Sequence, residues 1–356
     1  MSAGVRSLLA PFVPLYRFGL AMRERRLASG REPIRRLRFP VISIGNLSTG
    51  GAGKTPLTIA LAQALVRRGF AVDVLSRGYG RQSRLAARVD PGGAAEEFGD
   101  EPLLIARQAG VPVFVAPQRY DAGLLAESAF PFPAQAAPAP PQVAVLTPPP
   151  QAEPAPPQVA QVVVHILDDA FQHRQLHRDI DILLLNRADW QGRLLPAGNL
   201  REALHAANRA DVIAVPAAEP ELESELRAWG WQGPVWRLHR RMQIPAVNGP
   251  VFAFCGIARP EQFFAGLSTA GQDFPSLDLA GRHAFPDHHR YTARDLNRLA
   301  DKAQAVGATT LLTTEKDAVR LAGLRPPLTI ATVPLRTEIE RETAALDWIA
   351  ERLQPG

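Results

Sequence analysis

The chain has 356 residues, enough for two domains of ordinary size, and 46% of them are hydrophobic, so a sizeable core is within reach. Its 40 Lys and Arg against 35 Asp and Glu give a net charge of +5, which favours anionic partners such as nucleotide, nucleic acid or an acidic membrane surface without choosing among them. The single cysteine, Cys255, excludes an internal disulfide and a cysteine metal cluster, and fits a reducing compartment.

No uncharged apolar run approaches the roughly 20 residues that a membrane-spanning helix needs. The N-terminus nevertheless gathers Leu8, Leu9, Phe12, Val13, Leu15, Tyr16, Phe18, Leu20 and Met22, followed by Arg23, Arg25, Arg26, Arg31, Arg35, Arg36 and Arg38. A secretory signal would put the basic cluster first and leave the apolar centre unbroken, whereas Pro11 and Pro14 interrupt it here. Two readings stand for residues 1–38: a helix lying in a membrane interface beside its arginines, or a terminal helix packed on the protein's own core.

Val41-Ile42-Ser43-Ile44 reads as a buried strand, and Leu57–Arg68, closed by Gly69, reads as a helix. Between them lies Ser48-Thr49-Gly50-Gly51-Ala52-Gly53-Lys54-Thr55-Pro56. Strand, glycine-rich turn, Gly-Lys-Thr and helix form the phosphate-binding P-loop context. Glycines let successive N–H groups converge on phosphate oxygens, and the helix N-terminus adds its unpaired donors and partial positive charge. Thr49, Gly50, Gly51, Ala52, Gly53, Lys54 and Thr55 are therefore expected to bind the nucleotide. Lys54 would reach the β/γ-phosphates, and the Thr55 hydroxyl would ligate Mg²⁺. The strict pattern has a glycine where Ser48 stands, and Gly50 and Gly51 supply the flexibility instead.

Ala71–Leu75 is the next strand, followed by the loop Ser76-Arg77-Gly78-Tyr79-Gly80-Arg81. Loops beyond the carboxyl ends of strands are where α/β sheets hold ligands, so this loop reads either as an anion contact or as solvated chain. Gly99-Asp100-Glu101 opens the helical pattern Glu101–Gln108, and its acids read as a helix start or as a base or metal ligand. Pro112–Val115 is a further strand. Residues 131–160 are dominated by Pro, Ala, Gln and Val and repeat Pro-Gln-Val-Ala at 141–144 and 157–160, a low-complexity insertion within one domain.

Val162–Leu167 is an apolar strand ending in Asp168 and Asp169, where a P-loop protein places a carboxylate to hold Mg²⁺ or its water. Phe171-Gln172-His173 follows on the same edge. Asp181–Leu185 and Asp211–Val215 complete a strand–helix alternation that argues for a mostly parallel α/β sheet. The alternation restarts with strand Val251–Phe254, helices Pro260–Leu267 and Ala293–Ala305, and strand Thr310–Thr313. Asp287-His288-His289 lacks a third ligand at useful spacing, so a zinc site is not expected.

Taken in chain order, Val41–Pro56, Ser76–Arg81, Gly99-Asp100-Glu101-Pro102 and Leu167-Asp168-Asp169-Ala170-Phe171-Gln172-His173 resemble one known family, the tetraacyldisaccharide 4′-kinases. Leu195-Pro196-Ala197-Gly198-Asn199-Leu200-Arg201-Glu202, Phe285–His289 and Thr313-Thr314-Glu315-Lys316-Asp317 continue the match across most of the chain. Ala170 stands where that family usually has glycine, and Ala258-Arg259 where Gly-Asn is usual before Pro260.

The resemblance implies an α/β fold with a P-loop NTPase-like, mostly parallel sheet carrying helices on both faces, plus a second, smaller α/β domain. It divides the chain into a membrane-associating helix and basic segment (1–38), a kinase domain (39–240) and a C-terminal domain (241–356). It implies ATP- and Mg²⁺-dependent phosphorylation of the 4′-hydroxyl of a tetraacylated glucosamine disaccharide 1-phosphate, the lipid A precursor. The place would be the cytoplasmic face of the bacterial inner membrane, peripherally, and no nucleic-acid partner is expected. By the same resemblance Asp100 is the base, supported by His288, with Lys54 on the phosphates. Glu101, Asp168 and Asp169 join Thr55 around the metal, and Arg77, Arg119, Gln172 and His173 contact the acceptor. Two other classes fit parts of the sequence: a P-loop ATPase acting on nucleic acid, and a nucleotide-gated membrane adaptor without turnover.

Overall fold

The computed structural model of the chain describes residues 8–130, 162–273 and 277–354. The 131–160 insertion lies outside the described residues, as do positions 1–7 of the N-terminal segment.

The strands of the first half are β1 (Val41–Asn46), β2 (Ala71–Ser76), β3 (Ala87–Arg88), β4 (Val113–Val115), β5 (Val163–Leu167), β6 (Ile180–Leu184), β7 (Val212–Pro216) and β8 (Val235–Met242). Those of the second half are β9 (Pro250–Cys255), β10 (Asp278–Ala284), β11 (Thr310–Thr314), β12 (Thr329–Val333) and β13 (Leu335–Ile339). The principal helices are α1 (Val13–Ala28), α2 (Lys54–Arg67), α3 (Asp100–Gln108), α4 (Arg119–Ser128) and α5 (Glu221–Trp229), then α6 (Pro260–Asp273), α7 (Ala293–Ala305), α8 (Glu315–Arg320) and α9 (Glu342–Leu353).

Among the described residues, nine strands form one sheet in the order β13-β8-β7-β6-β1-β5-β2-β4-β3, and four form a second in the order β10-β9-β11-β12. The large sheet is parallel from β8 to β4, with β13 and β3 antiparallel at its edges. Strand β1 is buried along its whole length and reads as a near-continuous apolar run, as a central parallel strand covered on both faces must. Alternation then sorts its side chains. Ile42 and Ile44 join Val72, Val74, Val164 and Ile166 under α2, α3 and α9. Val41 joins Leu75, Phe114 and Leu167 on the other face, under α4. Leu57, Leu61 and Leu65 of α2 are fully buried at helical spacing, and truncating any one of them to Ala costs about 2–5 kcal/mol.

The second sheet is parallel throughout and has its own cores, one around Val251, Ala253, Phe263 and Leu312, the other around Phe254, Tyr291, Leu296 and Leu311. A single division at 240 does not describe the chain. Strand β13 pairs antiparallel with β8 of the large sheet, and Ala345, Leu346, Ile349 and Leu353 of α9 bury into the same core as α2. The second unit is thus an excursion from the first sheet, entered after β8 and left at β13, and the cleft between them is bordered twice by the connecting chain.

Helix α1 divides the two readings of the N-terminus between its faces. Val13, Tyr16 and Leu20 pack against the core around Leu47 and Phe171, and the Tyr16 hydroxyl donates to the carbonyl of Arg201. Leu15 and Phe18 remain 69% and 61% exposed, with Leu8 and Phe12 beside them, so an apolar face lies open. Among the described residues no helix is long and apolar enough to cross a membrane.

Candidate active site

The P-loop leaves β1 and enters α2 through Gly53, which holds φ of 88°. That left-handed conformation favours glycine. A Cβ at Gly53 would also sit 2.4 Å from the guanidinium of Arg240, which reaches in from β8 and donates to the carbonyl of Ala52. Helix α2 starts at Lys54, three residues before its apolar stripe, so the loop's donors and the helix's free first-turn N–H groups face one cleft. Lys54 Nζ donates to Asn46 Oδ1 at 2.9 Å and lies 3.5 Å from Asp169.

The Asp168–Asp169 turn follows β5, next to β1 in the sheet. Asp168 is 1% exposed and accepts from the Thr58 hydroxyl at 3.2 Å. Burial, then the neighbouring charges of Glu101 and Asp169, push its carboxyl up to about 7. Asp169 behaves oppositely. Burial works against its ionised form, but Lys54 and Arg201 hold it well below the usual carboxylate range, and Arg201 binds it at 2.9 Å. Arg119, which the sequence led one to expect at the acceptor, lines the cleft and is already bonded to the acid turn. It is buried, and it donates to the carbonyls of Asp168 at 2.8 Å and Asp169 at 2.6 Å. Its guanidinium pins the acid-bearing turn.

Asp100 lies in the first turn of α3, behind Gly99 at φ 91°. A Cβ at Gly99 would meet the Tyr79 carbonyl at 3.1 Å, so this glycine lets the helix start press against the Ser76–Arg81 loop. One oxygen of Asp100 accepts the first-turn N–H of Glu101 at 3.0 Å. The same carboxylate accepts from Arg320 Nε at 2.9 Å and lies 3.0 Å from His288 Nδ1. Burial opposes ionisation here too. The His288 hydrogen bond and the charges of Lys316 and Arg320 outweigh it and hold the carboxyl well below its ordinary value. His288, at φ 59°, keeps about a third of its side chain open to the cleft. Glu101 accepts from Lys316 Nζ at 2.7 Å.

At the far end of the cleft the Gln172 side-chain amide donates to the carbonyl of Asn46, and the Gln172 backbone carbonyl accepts from Arg23. Burial, followed by Arg119, Arg178, Arg23 and Arg77, pushes His173 down to about 3, so its ring is neutral in working conditions. Arg77 is exposed on its loop. One cavity of about 1470 Å³ takes in the P-loop, Arg77, Glu101, Asp168, Asp169, Gln172, His173 and His288, with Phe263 and Lys316 on the second unit's wall. Asp100 lies outside that lining, in a small side pocket shared with His288, Tyr79 and Arg320.

Sequence reasoning gave no role to Asn46, Arg201, Arg240, Lys316 or Arg320. Arg201 and Lys316 stood inside quoted motifs, while Arg240 was only the last residue of the expected kinase domain. Arg320 carried a usable signal, since it follows Lys316 by four residues and so shares its helix face.

Among the described residues no group of three His, Cys, Asp or Glu is arranged to hold a metal ion. The oxygen-only donors Thr55, Asp168 and Glu101 are what Mg²⁺ accepts beside phosphate oxygens, and the raised Asp168 carboxyl marks a place short of positive charge.

Fold and cleft together define a P-loop phosphotransferase. The profile of the tetraacyldisaccharide-1-P 4′-kinase family matches residues 5–354. The tetraacyldisaccharide 4′-kinase of Koribacter versatilis is 37% identical, over 97% of this chain and 98% of its own. That of Anaeromyxobacter sp. (strain Fw109-5) is 38% identical, over 90% and 85% respectively. The crystal structure of the Aquifex aeolicus LpxK in complex with ATP superimposes with a TM-score of 0.70 at 31% identity, covering 98% of this chain and all of that one. The chain belongs to the tetraacyldisaccharide-1-P 4′-kinase family.

Proposed function

We propose that this chain transfers a phosphoryl group from ATP to the 4′-hydroxyl of a tetraacylated disaccharide 1-phosphate, a step in lipid A biosynthesis. One observation carries the reading: a single cleft joins a P-loop to His288, which is delivered from the opposite unit and paired with Asp100 of the P-loop unit. The P-loop N–H groups and Lys54 bind and orient the phosphates, and most of the rate gain comes from that placement and charge. Mg²⁺, held by Thr55 and Asp168 with Glu101 within reach, would supply further neutralisation of phosphate charge.

The proton path favours His288 over Asp100 as the first acceptor. Asp100 is buried, carries several cationic partners and is held strongly ionised, which makes it a weak base. Its charge suits a different task. Accepting the His288 Nδ1–H, it leaves Nε2 to take the hydroxyl proton and stabilises the imidazolium that results. Arg77, Gln172 and the neutral His173 remain available to the acceptor's sugar and phosphate, with Arg119 setting the turn beside them.

The open apolar face of α1 and the arginines beyond it suit a peripheral seat on an anionic inner-membrane surface, where a lipid acceptor resides. Nucleic acid has no part in this reading. The test is acceptor-dependent ADP release by purified protein with Mg-ATP. Turnover with tetraacyldisaccharide 1-phosphate supports it. ADP release that ignores this acceptor and responds to DNA or RNA defeats it.

A further inference from the structure

We propose that Arg320 is a positioning residue for the phosphoryl transfer, one that completes the Asp100–His288 pair only when the two units are together. The inference rests on the kinase reading above and adds to it a residue that acts through Asp100 and does not touch the substrates.

Arg320 ends α8 on the second unit, and Asp100 opens α3 on the first. The guanidinium spans the gap between them. Nε donates to Asp100 at 2.9 Å, while Nη1 donates to the carbonyl of Gly256 at 2.8 Å and lies 3.1 Å from Asp317. Arg320 and Asp100 are each only 6% exposed in their side chains, so the bond is made out of water, where it is directional and strong. Behind it, Asp317 is fully buried and accepts from the Gly256 N–H at 3.0 Å, the Tyr291 hydroxyl at 2.8 Å and the Thr314 hydroxyl at 2.6 Å. These bonds fix the arginine's base in the second unit alone.

The other half of the pair hangs on the same carbonyl. The His288 N–H donates to Gly256 O at 3.1 Å, beside Arg320 Nη1. One guanidinium therefore sets the carboxylate through its Nε edge and shares its other acceptor with the histidine backbone. Charge balance alone does not require this reach, because Asp317 already offers Arg320 a counter-charge within its own unit. Lys316, one turn earlier on α8, makes a parallel tie to Glu101 at 2.7 Å. If the units separated, Asp100 would lose Arg320, Lys316 and His288 together.

The experiment uses the full chain with Arg320→Gln and Arg320→Lys, measuring kcat, KM for ATP and acceptor, ATP affinity by calorimetry and the melting temperature. Misplacing a catalytic group by about 1 Å can cost on the order of 100-fold in rate. Arg320→Gln is expected to lower kcat by about 10- to 100-fold with ATP affinity unchanged within about threefold. Added guanidinium ion should restore part of that loss, and should restore nothing in a His288 variant. Arg320→Gln combined with Asp100→Asn should be no worse than the worse single change, because the residues act as a unit. If Arg320→Gln does not fold, Arg320→Lys carries the test: it keeps the charge, loses the fork, and should fall by about 10-fold in kcat. Turnover of Arg320→Lys at the wild-type level, or an Arg320→Gln loss confined to KM for ATP, overturns the proposal. A wild-type protein that phosphorylates no acceptor would instead overturn the kinase reading.

Discussion

Replacing His288 tests the proton path with little collateral damage, provided the replacement is chosen for the backbone. His288 sits at φ 59°, where alanine is strained and asparagine is tolerated. His288→Asn is therefore the cleaner change, since Asn cannot accept a proton near neutral pH. Its stability cost is small. The side chain is about a third exposed, and its contacts are Asp100 at 3.0 Å, Asp287 at 3.9 Å and the edge of the Tyr79 ring. Asp100 keeps Arg320 and Lys316 when the imidazole leaves. The loss is about 1 kcal/mol, which shifts melting by a few degrees in a chain of this size. The rate loss is larger: a positioned general base contributes about 10²–10⁴-fold, or about 2.7–5.4 kcal/mol of barrier. Initial rates at saturating ATP and acceptor, with ATP affinity by calorimetry, separate the two effects. Turnover within about threefold of wild type in a folded His288→Asn protein would refute the assignment.

Other perturbations follow from the same geometry. Lys54→Ala should lower kcat by on the order of 100-fold or more while the protein still folds, since Asp169 retains Arg201; near-normal turnover would remove the P-loop from the mechanism. His173, held at about 3 against an ordinary 6.5, binds a proton in the unfolded chain before the folded one. Stability should therefore fall as pH drops from about 6.5 towards 3, and His173→Gln should flatten that part of the curve in denaturant titrations. Cys255 is fully buried and its thiol is pushed up to about 12, so a thiol reagent at pH 8 should label it only on unfolding. Changing Leu8, Phe12, Leu15 and Phe18 to Ser should weaken binding to anionic vesicles about 10-fold or more and leave ATP affinity alone; equal vesicle binding would assign the open face of α1 to something other than lipid.

Six of the nine strands of the large sheet and two of the four in the second were legible because each is a short apolar run bounded by turn residues, as β1, β5 and β9 show. Helix α2 was placed three residues late, since Lys54 and Thr55 are polar and the apolar period begins only at Leu57. The return of Leu335–Leu353 to the first sheet has no local signature. Leu-Arg-Thr-Glu-Ile is a plausible strand in any sheet, and its pairing with β8 is a long-range fact. The N-terminal segment gave two readings because its apolar residues surround the helix, and each reading describes one face. At the site, the P-loop declared itself through spacing. Spacing revealed neither partner of Asp100, because His288 and Arg320 come from the other unit; His288 was named through the family resemblance alone, and Arg320 was missed. The second task of Arg119 was hidden for a related reason: an arginine near a site is as able to fix a turn as to hold a substrate, and its bonds to the carbonyls of Asp168 and Asp169 are not written in the sequence.

The central claim is that this cleft phosphorylates one particular hydroxyl. The direct measurement is to incubate purified protein with Mg-ATP and tetraacyldisaccharide 1-phosphate, isolate the product, and locate the new phosphate by phosphorus and proton NMR. The account predicts a single product bearing one added phosphoryl group on the 4′-oxygen, and none with His288→Asn at matched protein and time. Phosphate at another position, or ATP hydrolysis with the disaccharide returned unchanged, would contradict it.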